Sequence, residues 1–474
     1  MGFNKIVFGA IILFLLLCSV SSIYAADLIV NDNTTYEDIS DWMNSDTTVK
    51  GNNLIFDVSS YELNDTIEVT KPVNIRSNKN TQINFYENKA MFNVSTSGIT
   101  FSGLTLNHHG QGTENLYAVA VLGNSHSTNI NFDKMVFNLN NRYQAGIIIS
   151  NWQGTISNSV LNGKNSFNIG IAVNNFNGNI RSNTMRFSGH GSFGVLIYSK
   201  WTGSIYSSSF SSARELSSMI SVQNWVGSIY RSSISMMGKD NLGIFTGNWR
   251  GSVHNTKISA SGIGSVGILS YKWTGGLYSS NILASKSQST GLFVNGTWNG
   301  KISKSKINVN AKESFGVCIF SPKSKGTISK STVSAKKGRA ISVPKSIKIK
   351  DTKVFAKNKS SRIYILGPKL SVGRFQASYA NFFLDLLGRG GNRFYTVKIY
   401  NRGEYISKTS SLTITTGSGY RKVVKIKPIK AGYYREITIG VPKSIFSNKL
   451  VKSARITYSN GENKKINSKT IKFR

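Results

Sequence analysis

The 474-residue chain predicts an all-β fold: a parallel β-solenoid with coils of about 24 residues, followed by a C-terminal β-sandwich. Three observations carry this expectation. A Trp-x-Gly-x-Ile pattern recurs with glycines at Gly154, Gly178, Gly203, Gly227, Gly251, Gly275, Gly300 and Gly326, spaced 24, 25, 24, 24, 24, 25 and 26 residues apart. Other columns keep the same step: Ile156, Ile180, Ile205 and Ile229 two residues after the glycine, Ser159, Asn183, Ser208 and Ser232 five after, and Leu161, Met185, Phe210 and Ile234 seven after. Beyond about Val343 the period is lost and longer alternating strands begin.

The short runs alternate with a period of two, and none sustains a 3.6-residue period, so helical repeats are excluded. Coils stacked at about 4.8 Å turn each sequence column into a ladder along the axis. The Ile columns become the interior. The Ser/Asn/Thr column hydrogen-bonds between coils at a bend, and the glycine supplies a tight turn or a positive φ.

Taken in order, Met1–Ala26 has the layout of a secretory signal: Lys5, an apolar run from Ile6 to Leu17, then small residues ending Ala25-Ala26. An uncleaved anchor is the alternative; no later stretch has the roughly 18 apolar residues of a transmembrane helix. The expected location is secreted or at the cell surface. Residues 27–70 are expected to cap the solenoid, with a short helix at Tyr36–Trp42. Residues 71–345 form the coils, 346–368 a linker or last coil, and 369–474 a basic, Ig-like sandwich. Its strands are Phe394–Tyr400, Ser411–Ile414, Val423–Ile426, Glu436–Ile439 and Ala454–Tyr458, with turns at Asn401–Gly403, Gly417–Gly419 and Asn460-Gly461.

The net charge of +37 is unevenly placed. Residues 27–150 hold 7 basic and 13 acidic side chains, residues 151–342 hold 21 and 3, and residues 343–474 hold 29 and 5. The basic part calls for a polyanion: an acidic wall polymer, anionic lipid or nucleic acid. Outside the leader Cys318 is the only cysteine, which excludes an intrachain disulfide framework and a Cys-based zinc site.

The stretch Tyr61–Val73, with Ser97-Gly98-Ile99-Thr100-Phe101-Ser102-Gly103-Leu104, resembles the adhesin-like surface proteins of methanogenic archaea. The resemblance covers about residues 27–345. It implies a secreted, right-handed parallel β-helix of the pectin-lyase-like class, and adhesion as the function. Val397–Gly403 is similar to the sandwich modules that accompany such helices.

Enzymes of that class use clustered carboxylates, or carboxylate-bound calcium with a base. Residues 151–350 contain only Glu215, Asp240 and Glu313 as acids. Gly189-His190-Gly191 resembles an element of polygalacturonases, but its paired aspartates are missing, so it reads as a repeat loop. His108, His109 and His126 fit no metal-ligand spacing and read as surface residues. Cys318 reads as a buried small hydrophobe. No catalytic residue, metal or cofactor is assigned.

Two sets of binding residues are. Trp201, Trp225, Trp249, Trp273 and Trp298 form either a stabilising aromatic ladder or a sugar-binding strip; one-coil spacing is short for one sugar per ring and favours the ladder. Tyr206, Tyr230 and Tyr278 point outward by alternation and join them as candidate ligand-binding residues. Arg421, Lys422, Lys425, Lys427 and Lys430 are the candidate polyanion set, with Lys425 and Lys427 expected on one strand face. The expectation is a non-enzymatic adhesin-like protein that binds a cell-wall polymer, surface glycan or partner cell, with the basic domain for envelope attachment. It foresees no specific nucleic acid and no membrane contact beyond the leader. The alternatives are a polysaccharide lyase or glycoside hydrolase, and a structural envelope component.

Overall fold

A computed structural model describes residues 27–45, 53–124, 129–309, 311–335, 337–356, 358, 362–377, 392–416, 421–442, 453–459 and 466–472. The expected leader, His126, and the Gly417–Gly419 and Asn460-Gly461 turns lie outside them. The chain divides into two compact units, residues 1–342 with 347–363, and residues 343–346 with 364–474.

The first unit is a parallel β-solenoid of about thirteen coils. Each coil contributes one strand to a 13-stranded parallel sheet that runs from Ser60–Leu63 to Lys353–Ala356. The rest of the coil feeds a second parallel sheet through longer, bent strands such as Gln144–Ser157 and Ile169–Arg181. Register is kept residue by residue: Trp152 pairs with Phe176, Gly154 with Gly178 and Ile156 with Ile180. The expected Ile columns are the interior, with Ile156, Ile180, Ile205, Ile229, Val253, Leu277, Ile302 and Ile328 all at 0% exposure. In earlier coils Phe101 and Phe132 fill the same position, stacked at 5.2 Å.

The coils begin earlier and end later than residues 71–345. Leu28–Val30 already pairs in parallel with Leu54–Phe56, and Lys353–Ala356 pairs with Thr332–Ala335. Within residues 27–70 the non-strand cap is the helix α1, Tyr36–Asn44. Its capping box joins Thr35 and Asp38, and it buries Ile39 and Met43. Lys71 secures its far end by donating to the Trp42 carbonyl and lying 4.0 Å from the Trp42 ring centroid.

Three of the eight column glycines have the expected positive φ, Gly154 at 153°, Gly203 at 149° and Gly275 at 153°, and a more regular left-handed position stands beside them. It falls four residues later, on non-glycine residues: Asn158, Ser182, Ser207, Arg231, Asn255, Ser279, Lys304 and Lys330, with φ between 48° and 53°. The next residue is the Ser/Asn/Thr column, which forms the expected ladder. Ser208 N donates to Ser232 Oγ at 3.1 Å, Ser232 N to Thr256 Oγ1 at 3.3 Å and Thr256 N to Ser280 Oγ at 3.1 Å. Each hydroxyl also donates locally, as Ser232 Oγ does to the Tyr230 carbonyl at 2.8 Å. The same device recurs at the other turn, where Ser192 N donates to Ser217 Oγ and Ser217 N to Asn241 Oδ1.

The second unit contains two small antiparallel sheets. One orders Leu370–Ala377, Asn392–Asn401 and Tyr434–Pro442; the other orders Arg421–Ile426, Ser410–Thr416, Ser453–Ser459 and Ile466–Lys472. Leu370, Val397, Ile399 and Ile439 from the first share a core with Leu412, Ile414 and Ile426 from the second, which is a sandwich arrangement. Asn401 is buried and ties the adjoining loops together, accepting from Lys369 N and Gly403 N and donating to the Tyr405 and Ile429 carbonyls.

Candidate functional site

The tryptophan column is inside the protein. Trp201, Trp225, Trp249, Trp273 and Trp298 are each 0–1% exposed, so the sugar-binding strip is corrected to a structural ladder. The reason lies in the Trp-x-Gly pairing. Each indole N–H donates to the carbonyl of the preceding coil: Trp201 to Gly178, Trp225 to Gly203 and Trp249 to Gly227, all at 2.9 Å. The glycine two residues after the tryptophan lies against that same carbonyl. A Cβ on Gly227 would sit 1.7 Å from Gly203 O. The glycine is therefore required by close approach. Trp201, Trp225 and Trp249 stack at 4.6 and 4.9 Å with planes 2–3° apart. Ser324 ends the column, and its Oγ accepts from Trp298 N at 2.9 Å.

Tyr206, Tyr230 and Tyr278 do face outward, half-buried, and a fourth ring joins them. His254 fills the gap, giving one stack with centroids 5.1, 4.9 and 4.9 Å apart and planes within 14°. Burial in this stack lowers the His254 pKa. Arg181 covers the free face of Tyr206 at 5.1 Å. The rings thus spend their faces on one another, and a sugar stacking on them would find edges. His254 sits at the tyrosine offset from its own glycine, which is how the sequence could have shown it.

A polar depression lies at the other turn of the coil. It has a volume of about 520 Å³ and is lined by Lys164, Asn165, Ser188, His190, Arg214, Glu215 and Lys239. Four successive coils supply these residues. Nesting of the turns depends on glycine, since a Cβ on Gly189 would lie 1.8 Å from Asn165 O. His190 Nδ1 approaches Glu215 Oε1 at 3.6 Å, and Lys239 reaches Asp240 at 3.7 Å. Among the described residues Lys164 and Arg214 have no ion-pair partner. From sequence alone His190 reads as a repeat-loop residue; the fold places that loop in a cleft of donors and cations. A smaller depression of about 310 Å³ lies over Asn151, Trp152, Gln153, Asn175, Phe176, Asn177, Lys200 and Thr202.

Other expectations change as well. His108 is buried rather than on the surface. Its Nε2 lies 2.9 Å from the Lys89 carbonyl, and desolvation lowers its pKa to about 4. Cys318 faces outward, half-buried, because alternation after inward Val317 puts it on the outer face. No group of three or more metal-ligating side chains occurs among the described residues. Arg421, Lys425, Lys427 and Lys430 are exposed and Lys422 is half-buried. Lys425 and Lys427 do not share a strand face, because the strand ends at Ile426. That strand is an edge of its sheet, where charged side chains also block further pairing.

One outer surface escaped the sequence reading. Ala90, Val119, Ala145, Ile169 and Ala172 are buried beneath Tyr117, Leu122, Ile148, Phe193 and Leu196. Alternation places Ile148 and Ala172 on the face opposite inward Ile147 and Ile171, so this is a small apolar cluster on the outside of the solenoid wall.

No family model matches the chain, and no curated protein matches it. Among solved structures it is similar to a tailspike protein of E. coli bacteriophage HK620 in complex with a pentasaccharide, at 11% identity and TM-score 0.33, covering 79% of this chain and 74% of that one. It is similar to a Geobacillus virus E2 protein at 9% identity and TM-score 0.31, covering 94% and 76%. It is also similar to an endo-xylogalacturonan hydrolase from Aspergillus tubingensis at 13% identity and TM-score 0.28, covering 72% and 95%. Likenesses at this level say nothing about residues or activity.

Proposed function

We propose that the protein is an exported, adhesin-like β-helix that binds a glycan without cleaving it, and that displays this site at the cell surface. The observation that carries the reading is the polar cleft of four coils. It offers Asn165, Ser188, His190, Glu215 and three cations around a space of about 520 Å³. Such a set can hydrogen-bond sugar hydroxyls and pair with a carboxylate, with Arg214 supplying the planar fork. The basic sandwich is assigned to envelope attachment through the edge-strand residues Arg421 and Lys425.

A hydrolase is the second reading, and the His190–Glu215 approach is what favours it. Glycoside hydrolysis generally needs two carboxylates about the scissile bond. The cleft lining has Glu215 alone, and Asp240, one coil on, is engaged with Lys239. Titration of the protein with oligosaccharides released from cell envelopes tests both readings. Binding that weakens roughly tenfold or more in Arg214→Gln is expected, as for loss of a charge-assisted hydrogen bond. Release of reducing ends by the parent, lost in Glu215→Gln, would replace the binding reading with the enzymatic one.

A further inference from the structure

The corner between the long strands and the 13-stranded sheet changes chemistry along the solenoid. In the middle coils its outward positions hold Arg181, Tyr206, Tyr230, His254 and Tyr278. In the last three coils the rings give way to Ser303, Ser329 and Lys350, and lysines gather in the columns beside them. Lys301 aligns through Thr327 with Lys348, and Lys306 through Thr332 with Lys353. Lys304 and Lys330 occupy the left-handed turn position of successive coils. Lys350 continues the column of Tyr278, Ser303 and Ser329.

All seven lysines are exposed. Coil stacking at about 4.8 Å gathers them within roughly 10 Å of axis. Asp351 is the carboxylate nearest in register, and among the described residues none of the seven lysines has an ion-pair partner. The fold does not need lysine here. Earlier coils place Ser204, Ser207 and Ser209 at the same three offsets. Like charges crowded on adjacent rungs repel, and the repulsion is relieved when an anion lies across them.

We propose that this lysine corner binds a linear anionic polysaccharide laid along the solenoid axis, its carboxylates or sulfates meeting successive rungs. The proposal rests on the glycan-binding reading and gives it a ligand class and a second place of contact, away from the His190 cleft. A single-stranded nucleic acid would ask for a run of ring faces on which successive bases stack, and here Tyr206, Tyr230 and His254 are stacked in the aromatic column, leaving one face of Tyr278 and the separate ring of Phe355. A lipid surface would ask for several apolar groups beside the charges, and Phe355 is the large exposed hydrophobic residue at this corner.

The test measures binding of the full chain to immobilised polygalacturonate, dextran sulfate, neutral dextran and a single-stranded oligodeoxynucleotide across a salt series. The corner variant is Lys304→Gln/Lys306→Gln/Lys330→Gln/Lys353→Gln. Its charge-matched comparator is Lys134→Gln/Lys272→Gln/Lys286→Gln/Lys312→Gln, four exposed lysines outside the lysine corner, the cleft and the basic sandwich. The expected result is salt-sensitive binding to a charged polysaccharide, weakened about tenfold or more by the corner variant and clearly less by the comparator. The carboxylate and sulfate arms then identify the anion. The four corresponding Lys→Arg changes should retain binding, which separates lost charge from lost folding. Equal losses in the two glutamine variants would overturn the proposal in favour of net charge. Tighter binding to the oligonucleotide than to either charged polysaccharide would overturn the ligand class. If Arg214→Gln abolishes glycan binding while the corner variant changes nothing, the glycan reading stands and this inference falls. If the parent binds no envelope glycan and none of these polymers, both fall.

Discussion

At Trp225 three requirements meet in one residue. Its ring stacks between Trp201 and Trp249, its N–H satisfies Gly203 O, and Gly227 beside it leaves room for that carbonyl. Trp225→Phe keeps most of the stacking and strands a buried acceptor, so a loss of about 1–3 kcal/mol is expected by denaturant unfolding. Trp225→Ala should cost about 3–5 kcal/mol. Gly227→Ala should cost at least as much as Trp225→Phe, since backbone must move to admit the methyl group. His108 sets a different sensitivity. Its folded pKa of about 4 lies below the 6.5 of a free imidazole, so the unfolded chain binds more protons between those values. Its contribution is complete above pH 6.5 and is lost as pH falls through 4, by about 3 kcal/mol at most. A stability profile over that range should flatten in His108→Gln; an unchanged slope would place the acid sensitivity elsewhere.

At the scale of the element, the turns hold the coils in register. Ser232 Oγ accepts from Ser208 N and donates to Tyr230 O. Ser232→Ala leaves a buried N–H unpaired and should cost about 1–3 kcal/mol, whereas Ser232→Thr should be nearly neutral because Thr256 performs the same task one coil on. The hydroxyl column was legible because every rung needs the same small polar group. The positive-φ position was not. Asn158, Ser182, Arg231 and Lys304 share a backbone conformation and only a polar character, which does not set the column apart from other outward positions. The glycine column was legible, and the positive φ expected of it holds at Gly154, Gly203 and Gly275; only the neighbouring coil reveals the carbonyl that excludes a Cβ along the column.

For the whole molecule, periodicity specifies the stacking and with it the architecture. It does not distinguish an inward aromatic column from an outward one when both repeat at the same interval, which is why Trp and Tyr were grouped. The His190 cleft was hidden for another reason. Lys164, His190, Arg214 and Lys239 come from four coils and share no motif, so only the superposition of coils makes them neighbours. The basic charge was visible segment by segment along the chain, and its concentration on one corner was not.

The buried indoles also form a linear chromophore array. From Trp201 to Trp273 the ring centroids are 4.6–5.0 Å apart and the planes lie within 9° of parallel. Transition dipoles held this close and this parallel couple, so the rings absorb and emit as a set. Ultraviolet absorption should show the blue shift and hypochromism of parallel stacked dipoles, a signature that vanishes when two coils separate, well before the backbone dichroism is lost. Substituting one central ring should reduce that signature by more than its one-ring share, because it divides the array into two shorter ones. The solenoid thus contains its own optical gauge of coil-to-coil contact.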